Sequence, residues 1–257
     1  MMILANTMQG TMHRQWGMPN QDAYTAQDCN GYTIAVVCDG VSLKPDHTMS
    51  DSQIASDWCA RFSLEYLKKT LKPDMDEDTV TRTLVDSFTQ CERSLQRYLR
   101  DQKIPYYDCQ TTLLVMALKN GVLYAGMAGD GGCLVHYQDG KIGLLVTSVK
   151  TSSVVNPICN TDDWVFGMTG DQENPVTGFL LATDGIFDHL VYLEDGGLRM
   201  DSALCAKFFN LACLPKSIRE NALDELMEQV PTHDDKTIVV CANEEKTGCP
   251  VIPESDE

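Results

Sequence analysis

The sequence has no apolar stretch close to the roughly 20 residues that a membrane-spanning helix needs, so we expect no membrane segment. Its first ten residues carry no basic residue ahead of an apolar run, and a secretory signal peptide is not expected either. Basic residues are few, 20 against 37 acidic ones, which gives a formal net charge of −17. Such a charge repels a phosphate backbone, so nucleic-acid binding is disfavoured, whereas binding of divalent cations is not.

Paired cysteine motifs are also absent, since none of the 11 cysteines falls in a Cys-x-x-Cys pair. Several cysteines lie instead inside apolar runs, where a small hydrophobic side chain packs: Cys38, Cys59, Cys91 and Cys241. The odd count and this placement predict buried, inert thiols in a reduced, cytoplasmic protein. They argue against a disulfide framework and against a zinc site.

The composition is that of an ordinary globular chain. Of the 257 residues, 43% are hydrophobic and 22% are charged, which is enough apolar material to form a core. We predict one domain over residues 1–242, followed by an acidic, flexible tail over residues 243–257 that contains Pro250 and Pro253.

Hydrophobic periodicity predicts helices in pairs, inserted between antiparallel strands. Asn120–Gly121 and Asp139–Gly140 each separate two apolar runs and indicate β-hairpins. Short strands are also expected in the first forty residues, at Phe179–Ala182 and at Thr237–Cys241. Helical spacing of apolar residues covers four segments: about 50–70, 78–102, 201–213 and 217–229. Because strands and helices do not alternate singly, the pattern favours an α+β fold over a doubly wound parallel sheet.

Aspartates stand at the ends of several predicted strands. Asp39 follows the apolar run Thr33–Cys38, Asp184 follows Phe179–Thr183, and a glycine comes next in both places. Three more aspartates adjoin strands in a similar way: Asp22, Asp130 and Asp234. Converging carboxylates repel one another unless a cation lies between them, and oxygen ligands suit Mg²⁺ or Mn²⁺ rather than Zn²⁺. A single Asp-Gly pair is commonly no more than a turn, so the surrounding residues have to decide.

Those surrounding residues form an ordered series of short motifs. The most specific is Leu180–Asp188, around Asp184. The others are Asn20–Ala23, Val36–Gly40, Gln110–Leu114, Ala128–Gly131 and Asp234–Val240. Over residues 8–242 this series resembles the type-2C metal-dependent protein serine/threonine phosphatase family, in its bacterial form.

The resemblance implies a fold and a reaction. The fold would be a four-layer αββα sandwich, in which two antiparallel β-sheets are flanked by helix pairs. The reaction would be hydrolysis of phosphoserine and phosphothreonine monoesters in proteins, by a hydroxide bridging two Mn²⁺ or Mg²⁺ ions. The implied partners are phosphorylated proteins, as targets of a serine/threonine kinase, and the chain is expected to be a monomer.

The resemblance also implies a ligand set for the two ions. Asp39 would bridge both of them, and the carbonyl of Gly40 would bind one. Asp184 and Asp234 would bind the other, which makes Asp39, Asp184 and Asp234 the expected catalytic carboxylates. Further roles fall to Asp22, through metal-bound waters, and to Asp130, which with Asp184 could hold a third and weaker ion.

The chain departs from the family pattern at three places. Gln21 stands where family members usually carry Glu; its amide can still bind a metal-bound water but brings no charge. Val41 stands where eukaryotic members have a histidine proposed as general acid, so the leaving group would be protonated by water. The phosphate-binding arginine is displaced: Arg14 lies seven residues before Gln21, and Arg14 and His13 are the candidates, with an exposed basic residue as the alternative.

These departures leave two other functions open. The chain could be a catalytically weak or inactive pseudophosphatase that serves as a regulatory binding module. It could also be an acidic phosphatase of small metabolites, because the irregular loop over residues 148–163, which would carry recognition, does not reveal the substrate.

Overall fold

The computed structural model describes residues 1–147 and 155–244, and its strands pair only antiparallel within that part. In chain order the strands are β1 (Met2–Met8), β2 (Asp22–Cys29), β3 (Tyr32–Asp39), β4 (Leu113–Lys119), β5 (Val122–Ala128), β6 (Gly132–Tyr137), β7 (Ile142–Thr147), β8 (Val165–Thr169), β9 (Val176–Ala182), β10 (Val191–Glu194), β11 (Gly197–Met200) and β12 (Lys236–Ala242). The helices are α1 (Thr11–Trp16), α2 (Gln53–Thr70), α3 (Glu77–Asp101), α4 (Asp184–Leu190), α5 (Ser202–Asn210) and α6 (Arg219–Gln229).

The strands form two five-stranded sheets and a separate hairpin. The first sheet has the order β1-β12-β9-β6-β7, and the second has the order β2-β3-β4-β5-β8. Strands β10 and β11 form the hairpin. Both predicted hairpin turns are confirmed: β4 pairs with β5 in the second sheet, and β6 pairs with β7 in the first.

The two sheets stack face to face, with helices on both outer sides. Strand β3 shows why its sequence is apolar without alternation. Ala35 and Val37 point into the core between the sheets, whereas Ile34 and Val36 point to the opposite face, where they pack with residues of α2 and α3. A strand that is covered on both faces needs apolar residues at every position. Helices α5 and α6 cover the first sheet in the same way, so the predicted four-layer sandwich is confirmed.

Helices α2 and α3 match the predicted segments 50–70 and 78–102, where apolar residues recur at helical spacing. Helix α3 starts after Asp76, whose side chain accepts a hydrogen bond of 2.7 Å from the backbone N–H of Thr79. Five elements were not predicted: α1, β8, α4, β10 and β11. The six residues of α1 are too few for a periodic pattern, and Gly10 provides no capping side chain.

The predicted burial of four cysteines is confirmed. Among the described residues no cysteine is in a disulfide, and Cys38, Cys59, Cys91 and Cys241 are buried. Burial raises the pKa of the Cys59 thiol, which keeps it protonated and unreactive. The acidic tail lies outside the described residues from position 245 onward, and so do residues 148–154 of the predicted recognition loop. No helix in the described ranges has both the length and the apolarity to cross a bilayer.

Candidate active site

The register of the strands brings the five aspartates to one end of the sandwich. Asp22 begins β2 and lies directly opposite Asp39, which ends β3. In the other sheet, Ala182 lies opposite both Gly132 and Ile238. The turn before Gly132 carries Asp130, the residues after Ala182 lead to Asp184, and Asp234 lies just before β12. Antiparallel pairing therefore gathers residues that are as much as 212 positions apart in the chain.

Three of these carboxylates form a compact group. Asp39, Asp130 and Asp184 each offer one oxygen, and the three oxygens lie within 4.8 Å of one another. Asp22 and Asp234 are not part of this group, but their charges reach it, because both raise the pKa of Asp39. The predicted bridging residue, Asp39, is thus surrounded by the other four aspartates.

Burial and mutual repulsion disturb the ionisation of this set. Burial, followed by the charges of Asp22 and Asp184, holds the pKa of Asp39 well above its usual range. Burial and the neighbouring Asp235 do the same to the pKa of Asp22. Burial and Asp184 raise the pKa of Asp234. Burial and repulsion disfavour the ionised carboxylates, and a bound cation would stabilise them in that form.

One unsatisfied oxygen tests whether a metal ion fits. Asp22 is 8% exposed; its Oδ2 accepts a hydrogen bond of 2.9 Å from the Thr183 hydroxyl, whereas its Oδ1 is buried without a partner in the described structure. A buried carboxylate oxygen without a donor is costly unless a cation or a cation-bound water faces it. All the side chains here offer oxygen, which suits Mg²⁺ or Mn²⁺. The residues present therefore fit such an ion.

Glycines allow the backbone segments of the site to approach one another. A Cβ on Gly40 would lie 2.8 Å from the carbonyl oxygen of Gln21 and 2.7 Å from the Ser52 hydroxyl. A Cβ on Gly185 would overlap the carbonyl oxygen of Asp235. The pairs Asp39–Gly40 and Asp184–Gly185 therefore need their glycines for close packing beside the carboxylates.

The two threonines that precede β4 fix the backbone of Asp39. The Thr112 hydroxyl accepts a hydrogen bond of 2.9 Å from the N–H of Asp39, and the N–H of Thr112 donates to the carbonyl of Asp39 at 2.8 Å. The Thr111 hydroxyl donates to the same carbonyl at 2.9 Å. This role explains why a Thr-Thr pair belongs to the motif series.

Gln21 is fully buried and its amide is bonded on both sides. Its Nε2 donates to the carbonyl of Ser50 at 2.7 Å, and its Oε1 accepts from the Ser42 hydroxyl at 2.8 Å. A carboxylate here would face the Ser50 carbonyl with no proton to donate. The amide thus matches its surroundings better than the Glu that family members usually carry.

We therefore expect Gln21→Glu to lower the stability of the fold rather than to restore a missing metal ligand. The change adds a further carboxylate to an acidic site and leaves the Ser50 carbonyl unpaired, which should lower the free energy of unfolding by about 1–3 kcal/mol. Urea unfolding of both proteins in EDTA measures this effect. An unchanged or higher stability would contradict the hydrogen-bond assignment of the amide.

The two phosphate-binding candidates have different surroundings. Arg14 is exposed, and its Nη2 donates to the carbonyl of Gln9 at 3.1 Å. His13 is 2% exposed, with Nδ1 at 2.8 Å from Asp235 and Nε2 at 3.0 Å from the Ser42 hydroxyl. Both ring nitrogens of His13 are therefore engaged by protein atoms, which argues against direct contact with phosphate.

Sequence reasoning gave no role to Asp235. This residue is 2% exposed and accepts from the backbone N–H groups of Gly10 and Gln21, both at 2.6 Å. Asp235 lies within the motif segment Asp234–Val240, but a doubled aspartate does not show which of its two carboxyl groups serves the site. Asp235 joins the backbone of Gly10 and Gln21 to the segment that carries Asp234, and its charge also raises the pKa of Asp22.

The raised pKa values predict how the metal-free protein responds to pH. A carboxyl group whose pKa is raised by folding does not oppose folding below the unfolded value, near pH 4, and opposes it increasingly as the pH rises through the folded value. In EDTA, Asp22, Asp39 and Asp234 should therefore lower the free energy of unfolding as the pH rises from about 4 to 7. Urea unfolding across that range checks the sign, and saturating Mn²⁺ should remove most of the decline.

A family model of protein phosphatases matches most of the chain and places it among the serine/threonine phosphatases. More particularly, the family model described as Protein phosphatase 2C matches residues 9–228, and the chain belongs to that family. This family is metal dependent, in agreement with the acidic group at the end of the sandwich. No curated protein sequence matches the chain.

Several solved structures share the fold at low sequence identity. A bacterial serine phosphatase is 15% identical, with a TM-score of 0.64, and the match covers 94% of this chain and 97% of that one. The serine/threonine phosphatase Stp1 from Staphylococcus aureus is 14% identical, with a TM-score of 0.64 and 94% coverage of both chains. The serine/threonine phosphatase PstP/Ppp from Mycobacterium tuberculosis is 14% identical, with a TM-score of 0.61 and coverage of 94% and 97%.

Proposed function

We propose that the protein hydrolyses phosphoserine and phosphothreonine monoesters in other proteins with the help of two divalent cations, Mn²⁺ or Mg²⁺. The observation that carries this proposal is the group of Asp39, Asp130 and Asp184, whose carboxylate oxygens lie within 4.8 Å of one another. Bound there, two cations would activate a water as nucleophile and offset charge on the phosphoryl group.

The chain's own residues divide this task by position. Asp39 lies among the other four aspartates and is proposed to bridge the two ions, with the Gly40 carbonyl as a further ligand. Asp184 and Asp234, whose charges interact, would complete the second site. The remaining roles are an outer position for Asp22 and a third, weaker site at Asp130.

The phosphate is proposed to bind at Arg14. Of the two candidates, only Arg14 is exposed. Its guanidinium donates an exposed hydrogen bond to the backbone carbonyl of Gln9, and it can donate to a phosphate oxygen instead. With Val41 in place of a general acid, proton donation to the leaving group would fall to water.

Turnover of a phosphothreonine peptide with and without Mn²⁺ tests the proposal. We expect hydrolysis that requires Mn²⁺ and that falls more than about 100-fold in Asp184→Asn, because even residues that only support metal ligands are worth about 10–100-fold. Isothermal titration with Mn²⁺ should show the matching loss of binding. Equal activity of the wild type and Asp184→Asn, or activity of the wild type in EDTA, would refute the two-cation mechanism.

Two alternatives give different results in the same assays. A pseudophosphatase would show no turnover at any Mn²⁺ concentration; neither the family match nor the intact acidic group favours it. A phosphatase of small metabolites would prefer phosphorylated metabolites to phosphopeptides in a substrate panel. We further propose that residues 1–242 act as one catalytic domain, monomeric and cytoplasmic, on targets of a serine/threonine kinase.

A further inference from the structure

A chain of buried and half-buried hydrogen bonds joins residues next to the site aspartates. It starts at Asp235, passes through the ring of His13 and the Ser42 hydroxyl, and ends at the side chain of Gln21. The successive distances are 2.8, 3.0 and 2.8 Å. Asp235 also accepts from the backbone N–H of Gln21 at 2.6 Å, which closes the chain into a ring.

The direction of each hydrogen bond follows from what the end groups can do. The Ser50 carbonyl can only accept, so the amide nitrogen of Gln21 faces it and the amide oxygen faces Ser42. The Ser42 hydroxyl has one proton, which it gives to Gln21, and it must therefore accept from Nε2 of His13. Nδ1 of His13 faces a carboxylate oxygen of Asp235 and donates there. Both ring nitrogens are thus donors, and the imidazole carries a positive charge.

Each other member of the ring adjoins a segment that carries proposed metal ligands. Gln21 is the neighbour of Asp22, and Asp235 is the neighbour of Asp234. Ser42 lies two residues after Gly40, whose N–H donates to the carbonyl of Gln21 at 3.1 Å. No pairing between adjacent strands joins all three segments, because they belong to two different sheets.

We propose that His13 is a positioning residue, whose charged ring joins Asp235 to Ser42 and Gln21 and so holds the three ligand-bearing segments in place. His13 lies in α1. That helix is attached to the segment carrying Asp234 and Asp235, because the N–H of Met12 donates to the carbonyl of His233 at 3.0 Å. His13 therefore acts on the cations through other residues and does not touch the phosphate. This inference rests on the proposed two-cation site.

The experiment separates metal affinity from phosphate affinity. The dissociation constant for Mn²⁺ is measured by calorimetry, and inhibition by inorganic phosphate is measured at saturating Mn²⁺, in the wild type and in His13→Ala, His13→Asn and Ser42→Ala. We expect His13→Ala to weaken Mn²⁺ binding about tenfold or more, with the inhibition constant for phosphate changed less than about twofold. Saturating Mn²⁺ should restore most of kcat.

The other two variants remove different hydrogen bonds of the network formed by Asp235, His13, Ser42 and Gln21. His13→Asn keeps a donor that can reach Asp235 and loses the bond to Ser42, so its Mn²⁺ affinity should fall between those of His13→Ala and the wild type. Ser42→Ala removes a half-buried hydroxyl with little risk to folding, and it should also weaken Mn²⁺ binding. His47→Asn is the control, since His47 is exposed and Asn tolerates its φ of 63°.

Two results would overturn the inference. One is a Mn²⁺ affinity that stays within twofold of the wild type in both His13→Ala and Ser42→Ala, together with weaker phosphate inhibition in His13→Ala. The other comes from nitrogen-detected NMR of the ring in EDTA: a neutral His13 with a single ring proton would contradict the donor assignment. The NMR result does not depend on metal, so it stands even if the wild type fails to bind Mn²⁺ and the proposed function fails.

Discussion

Replacing Asp39 by Asn is expected to abolish Mn²⁺-dependent turnover, with a loss of more than about 100-fold, while leaving the fold intact. Asp39 is the residue whose pKa responds to all four other aspartates of the site, so no other carboxylate can take over its position between them. The isosteric amide keeps the shape and removes the charge that the cations need. Turnover of a phosphothreonine peptide against Mn²⁺ concentration measures the loss.

In the metal-free protein, Asp39→Asn is expected to preserve or raise stability rather than impair the protein. Burial and repulsion raise the pKa of Asp39, so its ionised form opposes folding near pH 7, and the neutral amide should leave the melting temperature in EDTA equal or higher. The rise in melting temperature on adding Mn²⁺ should shrink. A lower melting temperature in EDTA would indicate a structural role instead.

The control for Asp39→Asn lies at the other end of the same pair of strands. Asp28 is exposed, pairs with Thr33 across β2 and β3, and accepts a hydrogen bond from the Thr33 hydroxyl. Asp28→Asn keeps an acceptor there and removes the same charge from the chain. It should retain full turnover, which would show that the loss in Asp39→Asn comes from position and not from net charge.

The sequence predicted the fold where several local signals agree. Asn-Gly and Asp-Gly turns marked two hairpins, and apolar residues at helical spacing marked α2 and α3. It did not predict α1, since that helix depends on tertiary contacts such as the bond from the N–H of Gly10 to Asp235. Contacts between residues 225 positions apart leave no local trace in the sequence.

The candidate site, like the fold, was predictable from the sequence only in part. The aspartates beside glycines were predicted as a converging set because strand ends at one edge of a sandwich are close in space, and the group of Asp39, Asp130 and Asp184 agrees with that. Their division into two ion sites stays a prediction. The roles of His13 and Asp235 could not be predicted, because they depend on which groups face each buried nitrogen and oxygen.

Substituting Gly185 by Ala is expected to cause the largest loss of stability among these changes. Two effects oppose each other at this position. Ala favours a helix over Gly by about 0.5–1 kcal/mol, and Gly185 lies in the first turn of α4. Against this, the added Cβ would overlap the backbone carbonyl of Asp235, and a backbone atom cannot move aside by changing rotamer. Overpacking typically costs about 1–3 kcal/mol, and an overlap with a backbone atom falls at the upper end of that range.

The overlap should prevail, because the segment that must move carries Asp234 and Asp235. We expect Gly185→Ala to lower the melting temperature by about 6–12 °C and to weaken Mn²⁺ binding by separating Asp184 from Asp234. Gly197→Ala is the matched control, since Gly197 lies in the nearby hairpin and its Cβ would come no closer than 3.8 Å to another atom, the carbonyl oxygen of Glu194. If Gly185→Ala instead stabilised the protein, helix propensity would outweigh the close approach, and Gly185 would not be needed to bring Asp184 close to Asp234, at the ends of the neighbouring strands β9 and β12.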